Sequence, residues 1–261
     1  MNDILETLVR DAFLTIQEGY YENGGRVSPK KRKITQAISS CQGNAIIAEV
    51  KFSSPSLGVI SKSSDHVGIA DSMVKGGAIA LSVLTEPKHF AGSLKYLEEI
   101  SQKTNVPILM KDIFVSSEQI RAANLAGADA VILISSIFRR GLAKVSKETL
   151  IEDAHELGLE VILECHDLDE FSDGLKSEAD IIGINNRNLG TMEVSLDVSR
   201  GILSSLDLDR LDRIVIIESG IKNPVDIKIL QKLGAKAFLV GSSIMASENI
   251  EEKVALLVNS R

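Results

Sequence analysis

Gly127-Ala128-Asp129-Ala130-Val131-Ile132-Leu133-Ile134-Ser135-Ser136 carries a helix ending, a strand and a polar closure in one short stretch. The glycine suits the left-handed residue that ends a helix, and the small alanine lets the next strand enter a crowded layer. The apolar run is long enough for a buried strand, and the two serines close it. The hinge recurs at Gly77-Ala78-Ile79-Ala80 and Gly234-Ala235-Lys236-Ala237, and more loosely at Gly158-Leu159-Glu160-Val161. Repetition of one helix-to-strand joint points to repeated βα units.

Working outward, seven further apolar runs share this layout: Ala45 to Val50, Ala78 to Leu84, Pro107 to Met110, Glu160 to Leu163, Asp180 to Ile184, Ile214 to Ile217 and Ala237 to Val240. Each ends on its carboxyl side in polar or charged residues. These are Glu49 with Lys51, Thr85 with Glu86, Lys111 with Asp112, Glu164, Asn185 with Arg187, Glu218 with Ser219, and Gly241 with Ser242. Buried strands that all point one way would gather those endings on one rim. Strand midpoints lie about 20 to 34 residues apart, room for one helix between each pair, as a parallel sheet requires. The expected fold is a (β/α)8 TIM barrel. An open doubly wound sheet is the fallback, disfavoured because no G-x-G-x-x-G fingerprint follows the first strand.

The 261 residues fit one such barrel, with residues 1–44 as a helical extension ahead of the first strand. In that extension Ile4, Leu5, Leu8, Val9, Ala12, Phe13 and Ile16 recur at helical spacing. A loop with Gly24, Gly25 and Pro29 follows, then the basic run Lys30-Lys31-Arg32-Lys33, expected to be a solvated face or, failing that, an edge of the active-site mouth. A net charge of -7 argues against a general nucleic-acid or acidic-membrane binder. No apolar stretch reaches the roughly 18 residues of a membrane span, and the charged first twenty residues do not match a signal peptide. Cys41 and Cys165 match no metal or redox spacing, so a reducing, cytoplasmic setting is expected.

Side chains two apart on a strand share a face, so Glu49 with Lys51, and Asn185 with Arg187, can project together into a barrel mouth. Charges at the ends of apolar strands are costly unless paired, and Lys111 and Glu164 add to the set. The Glu49–Lys51 pair also fits a purely structural ion pair on the rim. The small residues Ser219-Gly220 and Gly241-Ser242-Ser243 at the last two strands would let backbone N–H groups approach a phosphate, where this fold often seats one. Arg187 could add a charge-assisted contact. His66, His89, His155 and His166 have no metal-site spacing. His166 reads as a loop histidine without catalytic duty, and Cys165 as a packed thiol.

Together these residues resemble the indole-3-glycerol phosphate synthase family over nearly the whole chain. The most specific pieces are Ile46-Ile47-Ala48-Glu49-Val50-Lys51 with Ser54-Pro55-Ser56-Leu57-Gly58, and Ala80-Leu81-Ser82-Val83-Leu84-Thr85-Glu86 with Phe90. Lys111-Asp112, Ile182-Gly183-Ile184-Asn185-Asn186-Arg187-Asn188-Leu189 and Glu218-Ser219-Gly220-Ile221 add to them. The chain departs from the usual pattern at Phe52, Ser53, Ala91, Met110 and Ile113-Phe114. The resemblance implies conversion of 1-(2-carboxyphenylamino)-1-deoxyribulose 5-phosphate to indole-3-glycerol phosphate without a cofactor or a metal. It implies Lys111 as general acid and Glu164 as the second proton-transfer group, with Glu49 and Lys51 beside the reacting centre. Asn185 would orient and Glu218 would lie near the ligand hydroxyls. Ser54, Phe90, Arg187, Ser219, Gly220, Gly241 and Ser242 would bind the anionic, anthranilate-bearing sugar phosphate. Two other readings use the same pocket: a Schiff-base lysine at Lys51 or Lys111, and a phosphate-binding barrel without chemistry.

Overall fold

The computed structural model describes residues 3–22, 31–55, 58–60, 65–205 and 213–260. Gly24, Gly25, Pro29, Lys30 and the Ser56-Leu57 part of the first motif lie outside the described residues.

Two helices, α1 (Ile4–Gln17) and α2 (Ile34–Ser40), precede β1 (Ala45–Val50), which is followed by a short hairpin of β2 (Ser53–Ser54) and β3 (Gly58–Val59). Then come α3 (His66–Lys75), β4 (Ala80–Leu84), α4 (Leu94–Ser101), β5 (Ile108–Lys111), α5 (Ser117–Ala126) and β6 (Ala130–Ile134). The chain continues through α6 (Ser135–Arg139), α7 (Lys147–Glu156), β7 (Glu160–Cys165), α8 (Leu168–Gly174), β8 (Ile181–Asn185) and α9 (Asp197–Ser204). It ends with β9 (Ile214–Glu218), α10 (Pro224–Lys232), β10 (Ala237–Val240), α11 (Ser242–Met245) and α12 (Ile250–Asn259). The eight long strands close a parallel ring in the order β1-β4-β5-β6-β7-β8-β9-β10, and β10 pairs again with β1. This is the expected (β/α)8 barrel. All four hinge glycines, Gly77, Gly127, Gly158 and Gly234, have φ between 75° and 97°, the left-handed conformation read from the sequence.

Alternation along each strand makes two cores. Outward residues such as Ile46, Ala48, Val131 and Val161 pack beneath the helical layer, and Met110 and Cys165 belong to that set. Inward residues, among them Ile47, Ala80, Leu109, Ile132, Ile162, Ile216 and Leu239, fill the barrel. Ile34 and Ile38 of α2 join the inward set, so α2 plugs the amino end of the cylinder. Glu160 at the start of β7 holds the plug in place: its carboxylate accepts from the N–H of Ile34 at 2.5 Å and from the Thr35 hydroxyl.

The basic run corrects one expectation. Lys31 and Arg32 form neither a solvated face nor an edge of the mouth, because they are used at the barrel floor. Lys31 Nζ donates to Ala128 O at 2.7 Å. Arg32 donates its backbone N–H to Asp129 Oδ1 at 2.8 Å, and its Nε and Nη2 lie 2.9 and 2.8 Å from Oδ2. Asp129 is fully buried and also accepts from Ile108 N. Removing one partner of such a pair leaves an uncompensated buried charge. Asp129→Ala, which strands Arg32, should therefore lower the unfolding free energy by about 3 to 5 kcal/mol, measured by urea denaturation. A loss within experimental error would show that the clamp carries no stability.

At the opposite end α1 lies across the mouth. Leu5, Leu8, Val9 and Ala12 pack against Ile113, Val115, Ile134 and Ile137, which follow or end β5 and β6. A side-chain contact of His89 with Asp11 at 2.8 Å and an ion pair of Arg140 with Asp3 at 2.7 Å tie the helix to the rim. Tyr20 and Tyr21 secure its far end, donating to Thr85 O at 2.9 Å and Asp112 Oδ1 at 3.0 Å.

Candidate active site

Strand numbering around the ring organises the charges. In a (β/α)8 barrel, interior side chains pack in layers of four drawn from alternate strands. Glu49 on β1, Lys111 on β5, Glu164 on β7 and Glu218 on β9 occupy every second strand of the ring. They form an ionisable layer above the aliphatic ones. Lys111 Nζ sits 2.8 Å from Glu164 Oε2 and 3.3 Å from Glu218 Oε2. Lys51 Nζ, just beyond β1, is 2.6 Å from Glu49 Oε1. Asn185, at the end of β8, donates Nδ2 to Glu164 Oε1 at 2.8 Å and accepts the N–H of Arg187 on Oδ1 at 3.0 Å. Three of the charged strand ends, Lys111, Glu164 and Glu218, together with Asn185, lie inside their strands and not after them.

Room for these carboxylates comes from missing side chains. A Cβ added at Gly183 on β8 would fall on Glu218 Oε1, and one added at Gly241 after β10 would fall on Glu49 Oε1. Both glycines are needed for close approach.

Above this layer opens a cavity of about 660 Å³. All thirteen site residues named from the sequence line it: Glu49, Lys51, Ser54, Phe90, Lys111, Glu164, Asn185, Arg187, Glu218, Ser219, Gly220, Gly241 and Ser242. Leu5 and Leu8 of α1, Ile113, Ile134 and Leu189 supply an apolar wall that no local sequence signal assigns to the cavity. That wall stands largely over β5 and β6. The Ser219-Gly220 and Gly241-Ser242 turns follow β9 and β10, four places round the eight-strand ring and so across its diameter. Ser219 and Gly220 have φ of 64° and 86°, a tight left-handed turn at the end of β9. Arg187 Nη1 donates to Met192 O at 3.1 Å, which holds its side chain at the cavity edge. Of the positions that depart from the family pattern, Met110 faces the helical layer, Ile113 faces the cavity, and Phe52 packs edge-on against Tyr96 with centroids 5.5 Å apart.

The layer sets its own proton states. Burial opposes the Lys111 ammonium, but Glu164, Glu218 and Glu49 outweigh it and hold this lysine above its ordinary value. Burial also opposes the Glu164 carboxylate, yet Lys111 and His166 keep it well below the usual carboxylate range. Glu218 goes the other way: burial and the neighbouring Glu164 charge push it up to about 8 against the pull of Lys111. Among the described residues its Oε1 has no hydrogen-bond partner. One carboxyl beside the ammonium is thus pulled down and the other pushed up, which separates the better proton acceptor from the better donor.

Two remaining carboxylates on the wall are already committed. Glu86 accepts the N–H groups of Lys88, His89 and Phe90 at 2.7 to 3.0 Å, and Asp112 accepts from Tyr21, Thr85 and Ile113 N. No group of three or more His, Cys, Asp or Glu suited to a metal ion occurs among the described residues. His66, His89 and His155 each pair with one carboxylate, Glu99, Asp11 and Asp180. His166 stands apart because its ring reaches Glu164, at the two-residue spacing visible in the sequence.

A family model described as indole-3-glycerol phosphate synthase matches residues 9–257. The indole-3-glycerol phosphate synthase of Campylobacter fetus is 40% identical over 223 residues, 85% of this chain and 84% of that protein. Those of Desulforamulus reducens and Aliarcobacter butzleri are each 34% identical, covering 96% and 100% of this chain and 92% and 98% of the relatives. Among solved structures, the thiamine phosphate pyrophosphorylase of Pyrococcus furiosus superposes with a TM-score of 0.58 at 19% identity over 82% of this chain and 93% of that one, a likeness of fold alone. With a family match that spans the barrel and full-length relatives of one name, the chain belongs to the indole-3-glycerol phosphate synthase family.

Proposed function

We propose that this ionisable layer carries out the family's reaction, with Lys111 as general acid and Glu164 as the paired base. That reaction closes the indole ring of 1-(2-carboxyphenylamino)-1-deoxyribulose 5-phosphate and releases carbon dioxide and water. The observation that carries the residue assignment is the Lys111 ammonium set between the Glu164 and Glu218 carboxyl groups on the cavity floor, 2.8 and 3.3 Å away.

The proton count explains the donor set. The aromatic carbon bearing the carboxylate attacks the ketone, whose oxygen takes a proton from Lys111, and departure of CO2 restores the aromatic ring. Dehydration then needs a proton for the leaving hydroxyl and a base for the methylene hydrogen. Two protons go in and one comes out, so more acids than bases are required. Lys51, fixed by Glu49, serves the leaving hydroxyl, and Glu164 takes the methylene proton. Asn185 holds Glu164 in register, and Glu218 donates to the sugar hydroxyls.

The apolar wall of Leu5, Leu8, Ile113, Ile134 and Leu189, with Phe90, suits the anthranilate ring. Ser54, Arg187, Ser219, Gly220, Gly241 and Ser242 suit the phosphate and carboxylate. Because α1 and the strand ends line one cavity, the chain is read as one functional unit, barrel and amino-terminal helix together. A small anionic substrate, two free thiols and the absence, among the described residues, of a helix long and apolar enough to cross a membrane support a cytoplasmic enzyme. Neither nucleic acid nor a membrane is a partner in this reading. A lysine held above its ordinary pKa is a poor amine nucleophile, which disfavours the Schiff-base alternative at Lys111.

The decisive assay is the appearance of indoleglycerol absorbance from the carboxyphenylamino sugar phosphate with purified protein and no added metal. Tight binding without product would leave only a phosphate-binding barrel. Arg187→Ala should raise KM about 10- to 100-fold, the loss of one charged hydrogen bond, with kcat nearly unchanged. A change confined to kcat would contradict the binding role.

A further inference from the structure

The two oxygens of Glu164 are held differently. Oε2 faces Lys111 at 2.8 Å, while Oε1 accepts from Asn185 and stands 3.2 Å from His166 Nε2. His166 itself is not on the cavity wall. Its other ring nitrogen, Nδ1, is 3.4 Å from Glu170 Oε2, and that oxygen also accepts the His166 N–H at 2.9 Å. Ser136 Oγ donates to Glu170 Oε1 at 2.5 Å, which completes the seat of this second carboxylate. The imidazole is thus wedged between Glu164 on β7 and Glu170 on α8, with its side chain only 12% exposed. A ring with a carboxylate against each nitrogen retains both protons.

We propose that His166 is a positioning residue for ring closure: as an imidazolium anchored by Glu170, it keeps Glu164 ionised and fixes Oε1, leaving Oε2 to exchange protons beside Lys111. The proposal rests on the assignment of Glu164 as the proton acceptor. Other groups on the packed elements leave the balance intact. From α6, Ser136 is neutral and Arg139 is drawn onto the exposed Asp167 and Asp169; from β8, Asn185 is neutral. Burial works against the imidazolium, but the carboxylates of Glu164 and Glu170, 3.2 and 3.4 Å from its two ring nitrogens, outweigh it and raise His166 to about 9. The fixed cation also makes a protonated Glu164 more acidic, so the proton taken in one turnover is released before the next.

Two measurements on the full chain test this. In 15N-detected histidine NMR, His166 should be an imidazolium through neutral pH and lose its proton only near pH 9. A neutral tautomer at neutral pH would overturn the proposal while leaving Glu164's own role standing. In kinetics, His166→Gln keeps an N–H donor and removes the charge. Its kcat should fall about tenfold with KM changed less than about twofold, and the acid limb of kcat should move up by about one pH unit. Glu170→Gln, remote from the cavity, should shift the limb in the same direction by less, with the unfolding midpoint of both variants checked against the parent protein. A folded His166→Gln enzyme with the parent's kcat and acid limb would sink the idea. Should Glu164→Gln instead retain activity, the base assignment falls even with His166 charged.

Discussion

Lys111→Ala should lower kcat by about 10²- to 10⁴-fold, the range a positioned proton donor contributes, while binding of a phosphate-bearing product analogue changes far less. The reason is differential: in the proposed reaction the ammonium meets a ketone oxygen that gains negative charge only as the carbon–carbon bond forms, so its loss would be felt mainly in the transition state. The turns after β9 and β10, proposed to seat the phosphate, follow strands other than that of Lys111. Removal of the cation also leaves Glu164 and Glu218 facing each other, so both carboxyls should rise and Glu164 should become a weaker, partly protonated base. Lys111→Arg separates charge from proton donation, because a guanidinium keeps the charge but cannot give up its proton at neutral pH. It should restore the ionisation of Glu164 but little of the turnover. Full turnover in the Ala variant would remove Lys111 from its role.

Glu164→Gln is the second large effect, again about 10²- to 10⁴-fold in kcat. The amide keeps the shape and still faces Lys111 and Asn185, but it cannot accept the methylene proton. Since the carboxyl of Glu164 is held well below its ordinary value, the parent enzyme should keep an ionised base down to mildly acidic pH. The same depressed value is a stability statement. Its contribution is fully present above the unfolded carboxylate pKa and is lost as pH falls through the folded one. Acid unfolding of the parent should therefore lose a contribution in that window that Glu164→Gln lacks, measured by urea denaturation at several pH values. Identical pH dependence in the two proteins would contradict the ionised, paired state.

The repeating hinge was legible because each copy is a local event. A left-handed glycine after a helix, a small residue and a buried run need no distant partner, and all four glycines adopt that backbone. Same-face spacing made Glu49 with Lys51 and Asn185 with Arg187 readable as pairs aimed at one mouth, and all four line the cavity. The strand limits shifted where charge was concerned. Polarity marks Lys111, Glu164, Asn185 and Glu218 as strand endings, whereas the backbone ladder runs through them while their side chains point into the barrel mouth. The basic run misled for the same reason: a string of lysines and an arginine looks solvated until a buried Asp129, about a hundred residues later, is placed against it. The Glu170 contact of His166 is local, four residues on, whereas its approach to Glu164 on the neighbouring turn of chain depends on how the ring is held between β7 and α8.

The sequence by itself determined the βα repeat, the direction of the strands and the set of polar residues at their carboxyl ends, since periodicity and hinge chemistry are properties of neighbours along the chain. The tertiary structure alone decided that α2 plugs the floor, that α1 walls the mouth with Leu5 and Leu8, and that Lys111 stands between Glu164 and Glu218. Those outcomes depend on barrel closure, which brings side chains from four separated strands within a few ångströms in a region shielded from water, where burial and charge act on each group together.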